Sequence, residues 1–277
     1  MKKTESVTRL KEIALQIRTD VIESLASAGS GHLGGSLGLA DVFTVLYFYR
    51  LTCKPAEPSW PQRDRLILSI GHVAPVLYAA LANAGYFDRT ELATLRKLDS
   101  RLQGHPGRDH GLPGLELSAG SLGQGISVAM GMALAAKTDA ARWHTWCICG
   151  DGELQEGSVW EAAMAAAHHK LDNLTVIVDR NNLQIDGPTE SVMALEPLAD
   201  KWKSFGWNVM ECNGNSVDEL LDATDNSMIV PGKPTVIIAH TIMGCGIRSI
   251  EGNFRWHGKV PSKEEAMMFI DELNHRS

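Results

Sequence analysis

The stretch Trp143-His144-Thr145-Trp146-Cys147-Ile148-Cys149-Gly150-Asp151-Gly152-Glu153 sets the fold class. Residues 143–149 read as a buried strand, and two glycines then flank a carboxylate where a helix begins at 158. The same rhythm continues with a helix over 158–170, strand 174–179, helix 197–205, strand 207–212, helix 217–224 and strand 235–240. Strands alternating with helices predict an α/β fold, a parallel sheet flanked by helices on both faces. Gly150-Asp151-Gly152 then lies at the carboxyl edge of the sheet, where open α/β folds bind ligands.

Upstream, Leu10, Ile13, Ile17, Val21, Ile22 and Leu25 recur at helical spacing and predict an amphipathic helix over 7–28, stopped by Gly29. A second, more apolar helix is expected over 37–51, a short strand over 65–69 and a helix over 73–84. A long glycine- and proline-containing loop, 102–118, precedes a helix over 120–137 rich in small residues. Loops of that length inside compact domains are usually functional or disordered. A helix over 263–274 closes the chain, and with neither a long repeat nor a flexible linker, residues 1–277 are expected to form a single domain.

Composition narrows the function classes. With 44% hydrophobic residues in 277, the chain can bury a sizeable core. A net charge of -7 argues against non-specific nucleic-acid binding. No apolar run approaches the ~20 residues of a membrane span, and Met1 to Glu12 is polar with no signal-peptide core behind it. No nucleic acid, no membrane and a cytoplasmic location are therefore expected. The five cysteines are scattered; Cys147 and Cys149 share one face of a strand and are expected to be reduced and buried.

Neighbouring parallel strands would bring Asp151 and Asn181, of Asp179-Arg180-Asn181-Asn182-Leu183, to the same sheet edge. One carboxylate, one amide oxygen and a main-chain carbonyl suit magnesium, which completes its shell with phosphate and water oxygens; two ordinary turns would also contain these residues. Three histidines follow glycine, in Gly31-His32, Gly71-His72 and Gly104-His105, and His257 precedes Gly258. Flanking glycines let a ligand approach the backbone, and histidine can donate to phosphate or hydroxyl oxygens and exchange protons near neutral pH. The usual zinc-ligand spacings are absent. His168-His169 fall on a helix and are expected to be structural.

Taken together, these motifs resemble the N-terminal domain of transketolases. Gly150-Asp151-Gly152 with Asn181-Asn182 is similar to the thiamine diphosphate motif. Ser30-Gly31-His32, Leu68-Ser69-Ile70-Gly71-His72, Gly104-His105-Pro106 and Ser121-Leu122-Gly123-Gln124-Gly125 match transketolase motifs in the same order, from about Leu10 to Pro261. The resemblance implies a thiamine diphosphate-binding fold in which Asp151, the Asn181 side chain and the Leu183 main-chain oxygen hold Mg2+, or another divalent cation such as Ca2+ or Mn2+. It implies that His32, His72 and His257 line the diphosphate and the reacting sugar, and that His105 contacts substrate hydroxyls. Gly120 and Leu122 match an aminopyrimidine contact, Ile185 a thiazolium contact and Gly152 a backbone donor to the diphosphate. Glu156 and Glu161 match acidic residues near a two-fold interface.

Three positions depart from the family pattern: Leu33 replaces a proline, Ser118-Ala119-Gly120-Ser121 replaces Thr-Gly-Pro, and Gly252-Asn253-Phe254-Arg255-Trp256-His257 replaces a histidine-rich approach. They touch the substrate side more than the cofactor side. No segment resembles the family's pyrimidine-binding domain, with its activating glutamate. The implied protein is the N-terminal subunit of a split transketolase, which moves a two-carbon ketol unit from a ketose phosphate to an aldose. Its implied partner is a separate C-terminal subunit in an α2β2 heterotetramer. Alternatives are the α subunit of a 2-oxo acid dehydrogenase, a pentulose-phosphate synthase acting on pyruvate, and a thiamine diphosphate-binding regulator without turnover.

Overall fold

The computed structural model describes residues 6–275, so the first five residues of the polar start lie outside the described residues. Helix α1 (Val7–Ala28) starts where the Ser6 hydroxyl accepts the Arg9 amide at 3.2 Å and stops at Gly29, in the left-handed region at φ 70°. The helix expected over 37–51 is broken in three: α2 (Gly34–Gly38), α3 (Ala40–Val45) and a π-helical turn, Leu46–Arg50. Leu39 leaves helical geometry at φ -91°, ψ 0°. Gly38 lies so close to the backbone at Ile242 that a Cβ there would sit 2.9 Å from its carbonyl oxygen.

Strand β1 (Arg65–Leu68) leads to α4 (Ala74–Asn83), α5 (Gly125–Thr138), β2 (Thr145–Gly150), α6 (Gly157–His168) and β3 (Leu174–Asp179). A small hairpin, β4 (Leu183–Gln184) with β5 (Gly187–Pro188), and α7 (Thr189–Val192) add to the elements expected from periodicity. Then follow α8 (Leu198–Ser204), β6 (Asn208–Asn213), α9 (Val217–Asn226), β7 (Thr235–His240) and α10 (Lys263–Asn274). The expected helix from 120 begins only at Gly125, because Gly123 turns the chain through φ 79° and Gly125 packs onto Ser69 with no room for a side chain.

All five strands of the main sheet run parallel in the order β1-β2-β3-β7-β6. Side chains alternate between its faces. Trp146 and Ile148 join the core built on α1, α3 and α4, while Cys147 and Cys149 pack with Ala129 and Ala133 of α5 and Val159 and Ala162 of α6. Both cysteines are buried and unbridged, their sulfurs 3.7 Å apart. The chain steps from β1 to β3 across one face, jumps to the far edge at β6, and returns through α9 to place β7 beside β3. The strand order therefore reverses between β3 and β7, a position that opens a crevice at the carboxyl ends.

Candidate active site

A cavity of about 370 Å³ opens at those carboxyl ends. On its floor, β2 and β3 are in register with Gly150 opposite Asp179, which brings the Gly150-Asp151-Gly152 turn against Asn181. Asp151 is 2% exposed; it accepts the amides of Gly152 and Asn182, each at 2.7 Å, and the Arg180 guanidinium at 3.2 Å. Burial pushes its carboxyl up to about 6, against the pull of Arg180. Asp179 is pushed up to about 7 by burial and by the Asp151 charge, opposed by hydrogen bonds from Thr241 and Asn181. A cation beside Asp151 would offset the cost of this buried charge.

Asp151, Asn181 and Leu183 all line the cavity. The Asn181 amide donates to Asp179 at 2.8 Å, and its oxygen accepts the Leu183 amide at 2.9 Å. Leu183 faces Pro188 across the hairpin next to the pair in which the Thr189 amide donates to the Asn182 carbonyl at 3.0 Å; it is therefore a non-hydrogen-bonded position, and the ladder leaves its carbonyl available. These are all oxygen donors, which fits a hard divalent cation. Among the described residues no three His, Cys, Asp or Glu side chains converge closely enough to hold a metal by themselves. A cation here would complete its shell with ligand oxygens.

The four glycine-flanked histidines meet above this floor. His32 lies at the centre, with ring centroids 5.0 Å from His72, 5.6 Å from His257 and 6.4 Å from His105; His72 and His257 are 5.1 Å apart. Burial draws His72 down to about 3 and His32 to about 4, and the other rings of the cluster add to it. His105 and His257 are also lowered, by burial. At neutral pH the cluster is therefore uncharged, and each ring has one N–H and one free acceptor. The Nδ1 atoms of His32 and His257 are buried without a protein partner, as groups awaiting a polar ligand would be.

One carboxylate ties the walls together, a role that no sequence motif announces. Glu153, 2% exposed, accepts the Ser69 hydroxyl, the Gly123 amide at 2.7 Å and the Gly150 amide at 3.2 Å. Ser69 in turn accepts the Gly125 amide at 3.0 Å. Three motif segments thus converge on a single side chain. Beside them Gly71 approaches Ala119 so closely that a Cβ would lie 2.7 Å from its carbonyl oxygen, which fixes the loop carrying Gly120.

Gly120, Leu122, Gly152 and Ile185 line the same cavity. Ile185 stands 62% exposed on the hairpin turn, an apolar side chain facing an open site. His105 is outside the cavity lining, exposed at its rim beside Gly120, where a Cβ would sit 3.9 Å from the imidazole. Glu156 lines the cavity, whereas Glu161 lies out on the exposed side of α6. His168 and His169 pair with each other at the end of α6, away from the site. Glu153, Asp179 and Thr241 were missed by sequence reasoning; only the Glu that completes Gly-Asp-Gly-Glu carried any signal, as a carboxylate directly after the turn.

Residues 10–273 match the family described as transketolase, thiamine diphosphate binding domain. The chain is 41% identical to an apulose-4-phosphate transketolase subunit of Phocaeicola vulgatus, covering 94% of this chain and 92% of that one. It is 41% identical to the 6-deoxy-6-sulfo-D-fructose transketolase subunit of a Clostridium species, over 98% of both chains. The crystal structure of Campylobacter jejuni transketolase superposes with a TM-score of 0.90 at 35% identity, over 97% of this chain but only 43% of that one.

Proposed function

This chain belongs to the transketolase family, and we propose that it is the diphosphate-binding subunit of an enzyme whose pyrimidine-binding half is a separate chain. The observation that carries this is the near end-to-end match to proteins named as transketolase subunits, 92–98% of their own length, against 43% of the Campylobacter enzyme. The family match disfavours a 2-oxo acid dehydrogenase subunit, and the complete set of site residues argues against a regulator without turnover. The names of the two subunit relatives point to ketoses with a charged end group as substrates, and so to a role in carbohydrate metabolism.

In this proposal Asp151, the Asn181 oxygen and the Leu183 carbonyl hold Mg2+, or Ca2+ or Mn2+ in its place, against the diphosphate, and the Gly152 amide donates to the same group. Gly120 and Leu122 border the aminopyrimidine, Ile185 covers the thiazolium, and His72 and His257 close over the cofactor. Thiamine diphosphate supplies, when bound, the carbanion and electron sink for breaking the ketose C2–C3 bond. His32, His72, His105 and His257 do the rest: uncharged, they can each take a hydroxyl proton at one nitrogen and hold an oxygen with the other. His105→Ala should lower ketol transfer by about 10²–10⁴-fold while thiamine diphosphate affinity, read by calorimetry, stays near wild type. Unchanged turnover would make His105 an ordinary rim residue.

The surface supports an assembly with other subunits. Along α5, Val128, Met130, Met132 and Leu134 are only half-buried, and Met164 on α6 is 59% exposed, beside Glu161. This apolar face supports a cover by other subunits, and closed two-fold assembly gives an α2β2 heterotetramer with Glu156 and Glu161 near its axis. No helix among the described residues is long and apolar enough to cross a membrane, and a cytoplasmic location, away from nucleic acid, is proposed. Light scattering and turnover assays on each chain alone and on the mixture test the proposal. Activity is expected only in the mixture; full activity from this chain alone would overturn the split enzyme.

A further inference from the structure

The geometry points to Arg180 as the residue that positions Asp151 for its divalent cation and ties cation binding to the segment from Thr189 to Leu198; this rests on the cation site proposed above. Arg180 directly follows β3, and its amide donates to the Ala239 carbonyl of β7 at 2.9 Å, which pins its backbone where the strand order reverses. Its side chain is 3% exposed and lies outside the cavity lining, so it acts from behind the site. From there Nη1 donates to Asp151 at 3.2 Å and to the Thr189 hydroxyl at 2.8 Å. Nη2 donates to Glu190 at 3.0 Å and to Glu196 at 2.8 Å.

A guanidinium beside a metal-binding carboxylate has two opposing effects: it fixes the carboxylate, and it repels the cation. Here the repulsion is offset, because its one positive charge meets three carboxylates. Glu190 and Glu196 are held in turn by the chain around them: Glu190 accepts the Leu195 amide at 3.0 Å, and Glu196 accepts the Leu198 amide at 2.8 Å where α8 begins. The rigid fork of donors therefore joins Asp151 to both of them and to Thr189 at once, which an ammonium could not do. A second tie runs the same way. The Gln155 side-chain amide donates to the Gln184 oxygen and to the Met193 carbonyl, both at 2.8 Å, and the two glutamines line the cavity. Fixing wins over repulsion: removing Arg180 would leave Asp151 without its orienting partner and let two exposed carboxylates turn away from the site.

The test is calorimetric titration of thiamine diphosphate into the complex with the partner chain, at a series of Mg2+ concentrations. Arg180→Gln should raise the Mg2+ needed for half-maximal binding by about 10–100-fold, with affinity returning to within about 3-fold of wild type at saturating Mg2+. Arg180→Lys should recover part of the loss. Glu196→Gln keeps an oxygen for the Leu198 amide and removes only a charge from the fork; it should raise the Mg2+ requirement by about 3–10-fold. That exposed position decides the matter if the Arg180 variants do not fold. An affinity loss equal at every Mg2+ concentration would make Arg180 a brace of the fold and overturn the proposal. An unchanged or lower Mg2+ requirement in folded variants would overturn it too, the latter by making Arg180 a competitor of the cation. Wild-type binding that is indifferent to Mg2+ would instead overturn the cation site itself, and this proposal with it.

Discussion

Asp151→Ala should abolish magnesium-dependent binding of thiamine diphosphate, with an affinity loss of more than about 100-fold. The carboxylate is the only full negative charge among the three groups proposed to hold the cation. It also organises the turn: the Asn182 amide it accepts belongs to a residue at φ 63°, a conformation that needs outside support. Once it is gone, Arg180 remains held by Glu190 and Glu196 at 3.0 and 2.8 Å, so the fold should survive the loss. Calorimetric titration of cofactor at fixed magnesium is the measurement. An unchanged affinity in a folded variant would remove the cation site from this part of the molecule.

Glu153→Gln should be nearly as damaging, for a different reason. The carboxylate accepts from a hydroxyl and two amides at once. A glutamine must aim its NH2 at one of those donors, leaving a buried N–H unpaired and another facing a like group. Losing such charge-assisted bonds in the interior costs about 2–4 kcal/mol, and the strain falls on the segments carrying His72, Leu122 and Asp151. Lower stability in chemical denaturation is expected together with weakened cofactor binding. Ser69→Ala, which removes one of the three donors, should give a smaller loss in both. Wild-type stability of the Glu153 variant would show that the three segments are held by other contacts.

The difference between these two residues shows what could be read in advance. Asp151 sits in a local pattern, a strand followed by glycine-carboxylate-glycine, and a parallel sheet necessarily aligns it with the end of the next strand. The helix over 7–28 and the strands at 174–179 and 235–240 were equally local, set by apolar periodicity and glycine stops. Glu153 is defined by a partner 84 residues away, and Asp179 by Thr241, 62 residues on. Such contacts exist only after the fold has formed. The break in the helix after 37 has the same origin, since Gly38 is shaped by a close approach to Ile242. The hairpin that presents Ile185 was too short, at two residues a strand, to leave a periodic signal. The histidine cluster was foreshadowed by its glycines, but not its mutual spacing or its neutrality.

The pairing of Arg65 with Thr145 has a consequence for how the molecule comes into being. Strand β1 lies at the edge of the sheet and bonds only to β2, so it has no neighbour until a further stretch of chain has left the ribosome. At ~5–20 residues per second, the interval is about 4–16 s. Throughout it the apolar side chains Leu66, Ile67 and Leu68 and an open strand edge are accessible in the nascent chain. Non-local parallel pairing is also slow, because the intervening loop must close before any ladder bond forms. Recovery of native protein should therefore depend on protecting that interval, through slower synthesis or chaperone capacity, rather than on the stability of the finished sheet.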